Sequence, residues 1–173
     1  MSFPCLRREL AVCSAQEVEA FLDSAPDRWA VVSIREPDQP EPLLKAAARV
    51  HRVVFEDVLG PLGRHGLGPQ PAHLEGIRRF ARGNAPLVLQ CWAGQSRSTA
   101  VALALIVEDL WAQGLEGAAL VRQSTDLLLG LRPQARPNKR VLQFGLEPFL
   151  PPDLAPTLTA ALLREPRLLR NFA

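Results

Sequence analysis

A chain of 173 residues with 47% hydrophobic and 22% charged residues carries enough apolar material for one sizeable core in a single domain, and its net charge of +2, with scattered arginines and only Lys45 and Lys139 as lysines, excludes the basic stripe that nucleic-acid binding requires. Three cysteines (Cys5, Cys13, Cys91) give neither a disulfide framework nor metal-ligand spacing, and His51, His65 and His73 lie far apart, so a reducing cytoplasm and no metal or cofactor are expected. The stretch from Met1 to Leu10 holds Arg7, Arg8 and Glu9 without a following apolar run, and Ala100 to Val107 is too short to span a bilayer, so neither targeting nor membrane insertion is expected.

The predicted elements alternate. Leu10 to Cys13 is a short apolar run, an edge strand. Ser14 with Glu17 three residues on forms a capping box, followed by a helix through Phe21 and Leu22 that ends near Ala25-Pro26. Trp29 to Ile34 is β-branched and reads as a buried strand. Glu36 to Pro42, with three prolines, must be loop, and Leu43 to Arg49 is weakly helical. Val50 to Phe55 alternates as a strand. Gly60 to Pro71, with four glycines and three prolines, is a long irregular loop of the kind that often carries function.

Pro71 to Arg82 places Leu74, Ile77, Phe80 and Ala81 at helical spacing. Pro86 to Gln90 reads as a buried central strand. Ser98 to Gln113 is apolar nearly all round, which predicts a buried helix. Leu115 to Gly130 is a further helix, Arg132 to Pro137 a turn, and Asn138 caps a helix through Leu146. Beyond Pro151 one more amphipathic stretch runs from about Leu154 to Leu163. Strands alternating with helices predict an α/β fold, a central sheet flanked by helices on both faces. Ligands in such folds sit where a strand ends and a helix begins. Here that place is Cys91 to Ser98.

The segment Cys91-Trp92-Ala93-Gly94-Gln95-Ser96-Arg97-Ser98 leaves an apolar strand and enters an apolar helix. Five residues between Cys and Arg let the chain curl so that its N–H groups point inward at an anion. Gly94 supplies backbone freedom, and the helix start adds its positive dipole end. Arg97 can grip two phosphate oxygens at once. The same surroundings favour a thiolate: a free cysteine titrates near about 8.5, and such a site lowers that by several units. A thiolate beside a bound phosphate is a nucleophile for phosphoryl transfer.

This loop resembles the Cys-x5-Arg-Ser/Thr signature of the protein tyrosine phosphatase superfamily. Ala93-Gly94 and Ser96-Arg97-Ser98 are most similar to its dual-specificity-like branch and to small bacterial tyrosine phosphatase-like proteins, as is Arg132-Pro133-x-Ala135-x-Pro137-Asn138 downstream. The resemblance implies a phosphotyrosine phosphatase-like fold of the dual-specificity type. It also implies metal-free hydrolysis of phosphate monoesters through a phosphocysteine. Cys91 would be the nucleophile, Arg97 the phosphate clamp and Ser98 a hydrogen-bond donor to the departing thiolate. Trp92, Ala93, Gly94, Gln95, Ser96 and Arg97 would bind the substrate phosphate. The family also places an acid on a preceding loop, for which Asp57 is the first candidate, Glu56 the fallback and Asp38 a distant third. Arg132 and Asn138 would hold the loop in place.

One departure from the family pattern is Gln90, where His normally precedes the nucleophile. Gln can donate a hydrogen bond but carries no charge, so a less stabilised Cys91 thiolate and lower activity at acidic pH are expected. Trp92 either stacks on a substrate ring or packs beneath the loop. Cys13 is a candidate resolving thiol on oxidation of Cys91, against the plainer reading of Cys5 and Cys13 as small buried hydrophobes. None of Trp92, Ala93, Gln95 and Ser96 is basic, which favours a phosphoprotein, with phosphotyrosine first, or another small monoester over a multiply phosphorylated inositol. Two other classes stay open: a phosphate-binding pseudophosphatase recognising a phosphorylated partner, favoured by Gln90, and a sulfurtransferase or arsenate reductase-type thiol enzyme.

Overall fold

The structure, a computed structural model, describes residues 3–60 and 62–172; Pro61 of the predicted glycine-rich loop lies outside them. Four strands, β1 (Leu10–Ser14), β2 (Ala30–Arg35), β3 (Arg49–Val54) and β4 (Leu87–Cys91), form one sheet in the order β1-β4-β2-β3. Every pairing is parallel. β1 lies at an edge and β4 in the interior, as their composition predicts. β4 is buried along its whole length, which fits a strand covered on both faces.

Parallel strands need crossovers, and those leaving β1 and β3 carry α1 (Val18–Asp23) and α2 (Pro71–Phe80). The crossover from β2 to β3 has no helix. The weak helix expected over Leu43 to Arg49 does not form. Two of its N–H groups are taken elsewhere or locally: Ala48 N–H donates to Trp29 O at 2.9 Å and Ala47 N–H to Leu44 O at 3.2 Å. Arg49 already belongs to β3. A stretch this short cannot recover the cost of nucleating a helix when a strand offers partners.

Side chains alternate across the sheet and build two cores. Leu10, Val12, Val32, Ile34, Leu89 and Cys91 face the larger one, with α2, α3 (Arg97–Trp111), α4 (Gly117–Leu131), α5 (Lys139–Leu146) and α6 (Leu154–Leu163). Ala11, Cys13, Val31 and Val88 face the smaller one, capped by Val18 and Leu22 of α1 and by Trp29 and Leu44. Helices therefore cover both faces, unequally. α3 buries 13 of its 15 residues because it runs through the centre of the larger layer, which accounts for its apolar character on every side. It crosses α5 closely: a Cβ on Gly145 would come within 2.6 Å of Ala104 Cβ.

The chain closes with elements the composition does not announce, α7 (Pro166–Leu169) and a 3-10 turn (Arg170–Phe172). Glu165 caps α7 and pairs with Arg167 at 2.8 Å. No helix among the described residues is long and apolar enough to cross a membrane.

Candidate active site

In an all-parallel sheet every strand ends at the same edge, so the residues that follow β1, β2, β3 and β4 converge there. These are the turn at Ala15–Glu17, Glu36, the Phe55–Asp57 segment and the Cys91–Ser98 loop. Cys91 is the last residue of β4 and is buried. Its Sγ lies 3.0 Å from Ser98 Oγ, in the first turn of α3.

The loop between them is held open by its carbonyls. Trp92 O accepts from Ala15 N–H at 3.0 Å, Ala93 O from Arg132 Nη2 at 3.3 Å, Gln95 O from Arg136 N–H at 2.7 Å and Ser96 O from Asn138 N–H at 3.4 Å. The Thr99 hydroxyl donates to Gln95 O and, at 2.9 Å, to Ser96 O. With the carbonyls drawn outward, the N–H groups face the other way, and among the described residues those of Ala93 to Arg97 have no acceptor. A ring of inward, unpaired N–H groups at a helix start is an anion-binding nest. Gly94 permits the curl in two ways. Its φ is +65°, and a Cβ there would lie 2.7 Å from Ser14 N at the end of β1.

Arg97 ends the loop as the first residue of α3, and its side chain is buried. Its Nη1 donates to Phe55 O at 3.0 Å, its Nη2 pairs with Glu36 Oε1 at 3.3 Å, and its Nε lies 3.8 Å from Asp57 Oδ2. That Nε is buried without a hydrogen-bond partner. An unsatisfied guanidinium N–H beside unpaired amides is a costly arrangement that a tetrahedral oxyanion would satisfy.

Asp57 closes the site from the β3 side. Its Oδ1 accepts from Ser96 Oγ and from Asn138 Nδ2, both at 2.8 Å. Its N–H donates to Glu36 Oε1 at 3.3 Å. Asp57, the neighbours Ser96 and Arg97, and Asn138, from three distant segments of the chain, thus form one connected group. The fallback Glu56 is not part of it. It is buried, and its carboxylate accepts from His65 N–H and Leu67 N–H and pairs with His65 Nδ1 at 3.3 Å. Burial pushes its pKa up, but those backbone N–H groups and the imidazole outweigh that and hold it below the usual carboxylate range. Glu56 therefore anchors the loop that follows. Asp38 is exposed and makes no hydrogen bond to the site.

Three further expectations meet the structure here. Trp92 is 45% exposed at the rim, so it does not pack beneath the loop. Gln90 leaves β4 on the face opposite Cys91 and accepts from Ser33 Oγ at 2.7 Å. Cys13 cannot resolve an oxidised Cys91. Ser14 pairs in register with Cys91, so Cys13, one residue earlier, projects from the other face into the smaller core, and a disulfide needs Cβ atoms about 3.8 Å apart. Burial, reinforced by the nearby Glu17 carboxylate, also pushes the Cys13 thiol up to about 11.

Arg132 reaches Glu17 Oε1 at 3.0 Å as well as Ala93 O, so it braces the loop against the β1–α1 turn. Ser14 and Glu17 exchange the two predicted bonds at 2.7 and 3.2 Å, but these close the turn between β1 and α1: Ser14 ends β1, and the N-cap of α1 is Glu17. Glu36 is the residue that sequence reasoning passed over as the start of a proline-rich loop. The available signal was positional: it is the first carboxylate beyond a central parallel strand.

Among solved structures, the chain is similar to human DUSP28, with 27% identity over 80% of this chain and 92% of that one and a TM-score of 0.53. It also resembles Tk-PTP, crystallised in its active form (19% identity, 86% and 100% covered, TM-score 0.51). A third match is the Yvh1 phosphatase domain of Chaetomium thermophilum (16% identity, 80% and 87% covered, TM-score 0.50). No protein-family model and no curated protein matches the chain. Its α/β architecture is the fold of the dual-specificity and tyrosine phosphatases.

Proposed function

We propose that this chain, built on the fold of the dual-specificity phosphatases, is a cysteine-dependent phosphatase that hydrolyses phosphate monoesters. The carrying observation is the pairing of Cys91 with a nest of unpaired amides and the unsatisfied Nε of Arg97. Those donors suit an oxyanion directly in front of a sulfur nucleophile.

In the first step Cys91 Sγ bonds to phosphorus as the ester P–O bond breaks. Asp57, protonated, gives its proton to the leaving oxygen. Ser98, 3.0 Å from Sγ, stabilises the thiolate before attack and on departure. In the second step a water oxygen bonds to phosphorus, the S–P bond breaks, and the Asp57 carboxylate takes the water proton. Arg97 and the loop amides hold the equatorial oxygens throughout, and this preorganised electrostatic stabilisation supplies most of the barrier lowering. The uncharged loop positions Trp92, Ala93, Gln95 and Ser96 favour a phosphoprotein, with phosphotyrosine first, over a multiply phosphorylated headgroup.

A second reading, phosphate recognition without turnover, is favoured by Gln90, whose amide replaces an ionisable imidazole next to Cys91. One assay separates the two: p-nitrophenyl phosphate hydrolysis without added metal, for wild type, Cys91→Ser and Asp57→Asn. Turnover that orthovanadate blocks and Cys91→Ser abolishes supports the phosphatase. Tight vanadate binding without turnover moves the chain to the recognition class. Neither turnover nor binding overturns both readings.

A further inference from the structure

Beside the phosphate nest runs a second, mostly apolar groove of ≈ 520 Å³, a volume in the range of small-molecule and side-chain pockets. It shares Asp57 and Ser96 with the site, so it adjoins the candidate acid and the flank of the Cys91–Ser98 loop. Its walls are Leu59 from the loop after β3, Leu163 at the end of α6, and Leu169 and Phe172 from the C-terminal turns. Leu59, Leu169 and Phe172 are 66%, 51% and 48% exposed, which is unusual for large apolar side chains gathered on one groove. The C-terminal wall is pinned: Asn171 Nδ2 donates to Pro133 O at 2.8 Å and Ala135 O at 2.9 Å, and Leu168 is fully buried. Both carbonyls belong to the 132–138 turn that also holds the phosphate loop.

The groove is charged at one lip. Arg136 and Lys139 line it, both are exposed, and neither forms an ion pair among the described residues. Asp57 is its one carboxylate among those residues. An extended peptide advances about 3.3 Å per residue, and the groove adjoins the loop through Ser96 and Asp57, so the residues that flank a phosphoresidue are the ones in position to enter it. A multiply phosphorylated lipid headgroup would instead need cations on the nest itself, where Trp92, Ala93, Gln95 and Ser96 carry none.

We propose that this groove is the specificity subsite of the chain and takes a phosphopeptide with a large apolar side chain beside the phosphoresidue and a carboxylate close to it. The apolar side chain packs on Leu169 and Phe172, and the carboxylate meets Arg136 and Lys139. The assignment rests on the phosphatase reading for its chemistry, but the groove can be tested apart from it.

The test compares kcat/KM, within each protein, for phosphotyrosine peptides that differ only in Phe against Ala and in Glu against Gln, placed N-terminal to the phosphoresidue in one set and C-terminal in the other. Ratios cancel any loss of folded protein. In wild type the Phe/Ala ratio is at least about tenfold in one set, the scale of burying one large apolar side chain. It falls below about threefold in Phe172→Ala and in Leu169→Ala. The Glu/Gln ratio, about threefold at low salt, disappears in Arg136→Gln. Ratios near unity in both sets, or ratios that those substitutions leave unchanged, overturn the proposal even if p-nitrophenyl phosphate is hydrolysed well. Faster, Phe172-dependent turnover of dioctanoyl phosphatidate than of every peptide also overturns it, in favour of a lipid occupant. If p-nitrophenyl phosphate is not hydrolysed, the phosphatase reading fails by itself. The same ratios are then read as Kd by fluorescence anisotropy of the labelled peptides, with the same outcomes deciding.

Discussion

Ser96 donates its hydroxyl to Asp57 Oδ1 at 2.8 Å, which ties the phosphate loop to the loop after β3. Asn138 Nδ2 reaches the same oxygen at the same distance. The candidate acid is therefore positioned by the nest it would serve and by the cap of α5.

Breaking the two bonds separately should have unequal effects. Ser96→Ala leaves Asn138 in place and should lower kcat about three- to tenfold, with melting temperature unchanged, as one hydrogen bond to a charged group is lost. Asn138→Ala removes the second bond and also the cap, because Asn138 Oδ1 accepts from Arg140 and Val141 N–H. Lost caps cost about 1 kcal/mol, or roughly 2–4 °C in a chain of this size. Activity and thermal melts of both variants check this. Equal melting temperatures for the two would remove Asn138's structural part.

Glu36 touches both Arg97 Nη2 and the Asp57 N–H. Glu36→Gln keeps an acceptor for both while removing a negative charge close to an anion site, so orthovanadate should inhibit about threefold more tightly. Glu36→Ala leaves a buried guanidinium N–H unpaired and should lower kcat/KM about tenfold or more. Equal effects of Gln and Ala on vanadate inhibition and on kcat/KM would mean that Glu36 acts through its charge alone and not through its hydrogen bonds.

Glu56 makes the glycine-rich loop sensitive to acid. Burial alone would raise its pKa, yet the N–H groups of Leu67 and His65 hold it lowered in the folded state. Its contribution to stability is then complete above the unfolded-state value, about 4.3, and is lost as pH falls through the lower folded value. Urea midpoints of wild type should therefore fall in that acid window, and those of Glu56→Gln should start lower at neutral pH and fall less. Identical slopes for the two proteins would rule Glu56 out as a source of the acid sensitivity.

Gly145 lies inside α5, where alanine would ordinarily add about 1 kcal/mol of helix propensity. A Cβ there would meet Ala104 Cβ at 2.6 Å. Gly145→Ala should destabilise by about 1–3 kcal/mol, the scale of overpacking, and Ala104→Gly should restore part of the loss. Additive destabilisation in the double-mutant cycle, measured by urea denaturation, would contradict direct contact between the two positions.

The local pattern was enough to place the strands, the bonded pair Ser14–Glu17 (though in the turn before α1 and not as its cap), the cap at Asn138, the buried helix after Ser98 and the Cys91–Ser98 loop. Each depends on neighbours within about one helical turn or on a short alternation, and that information is present in any contiguous window. The Leu43–Arg49 stretch failed because its weak helical tendency competed with partners from Trp29 and β2, which no local window contains. Glu36 was overlooked, and the resolving role of Cys13 stayed open beside its reading as a buried hydrophobe, for a related reason. Whether a residue after one strand meets a residue after another depends on strand order, and whether two cysteines can meet depends on register and face.

The connections among Arg97, Glu36, Asp57 and Asn138 are decided by the order β1-β4-β2-β3, which brings the ends of β2, β3 and β4 together. The groove closed by Leu169 and Phe172 depends on the C-terminal turns docking on the 132–138 segment through Asn171. The chain's sequence thus determined the candidate nucleophile and the loop that follows it, because that pattern is local. Tertiary structure decided how Asp57 is held and what lies beside the Cys91–Ser98 loop, because those contacts join residues that only folding brings within hydrogen-bond reach.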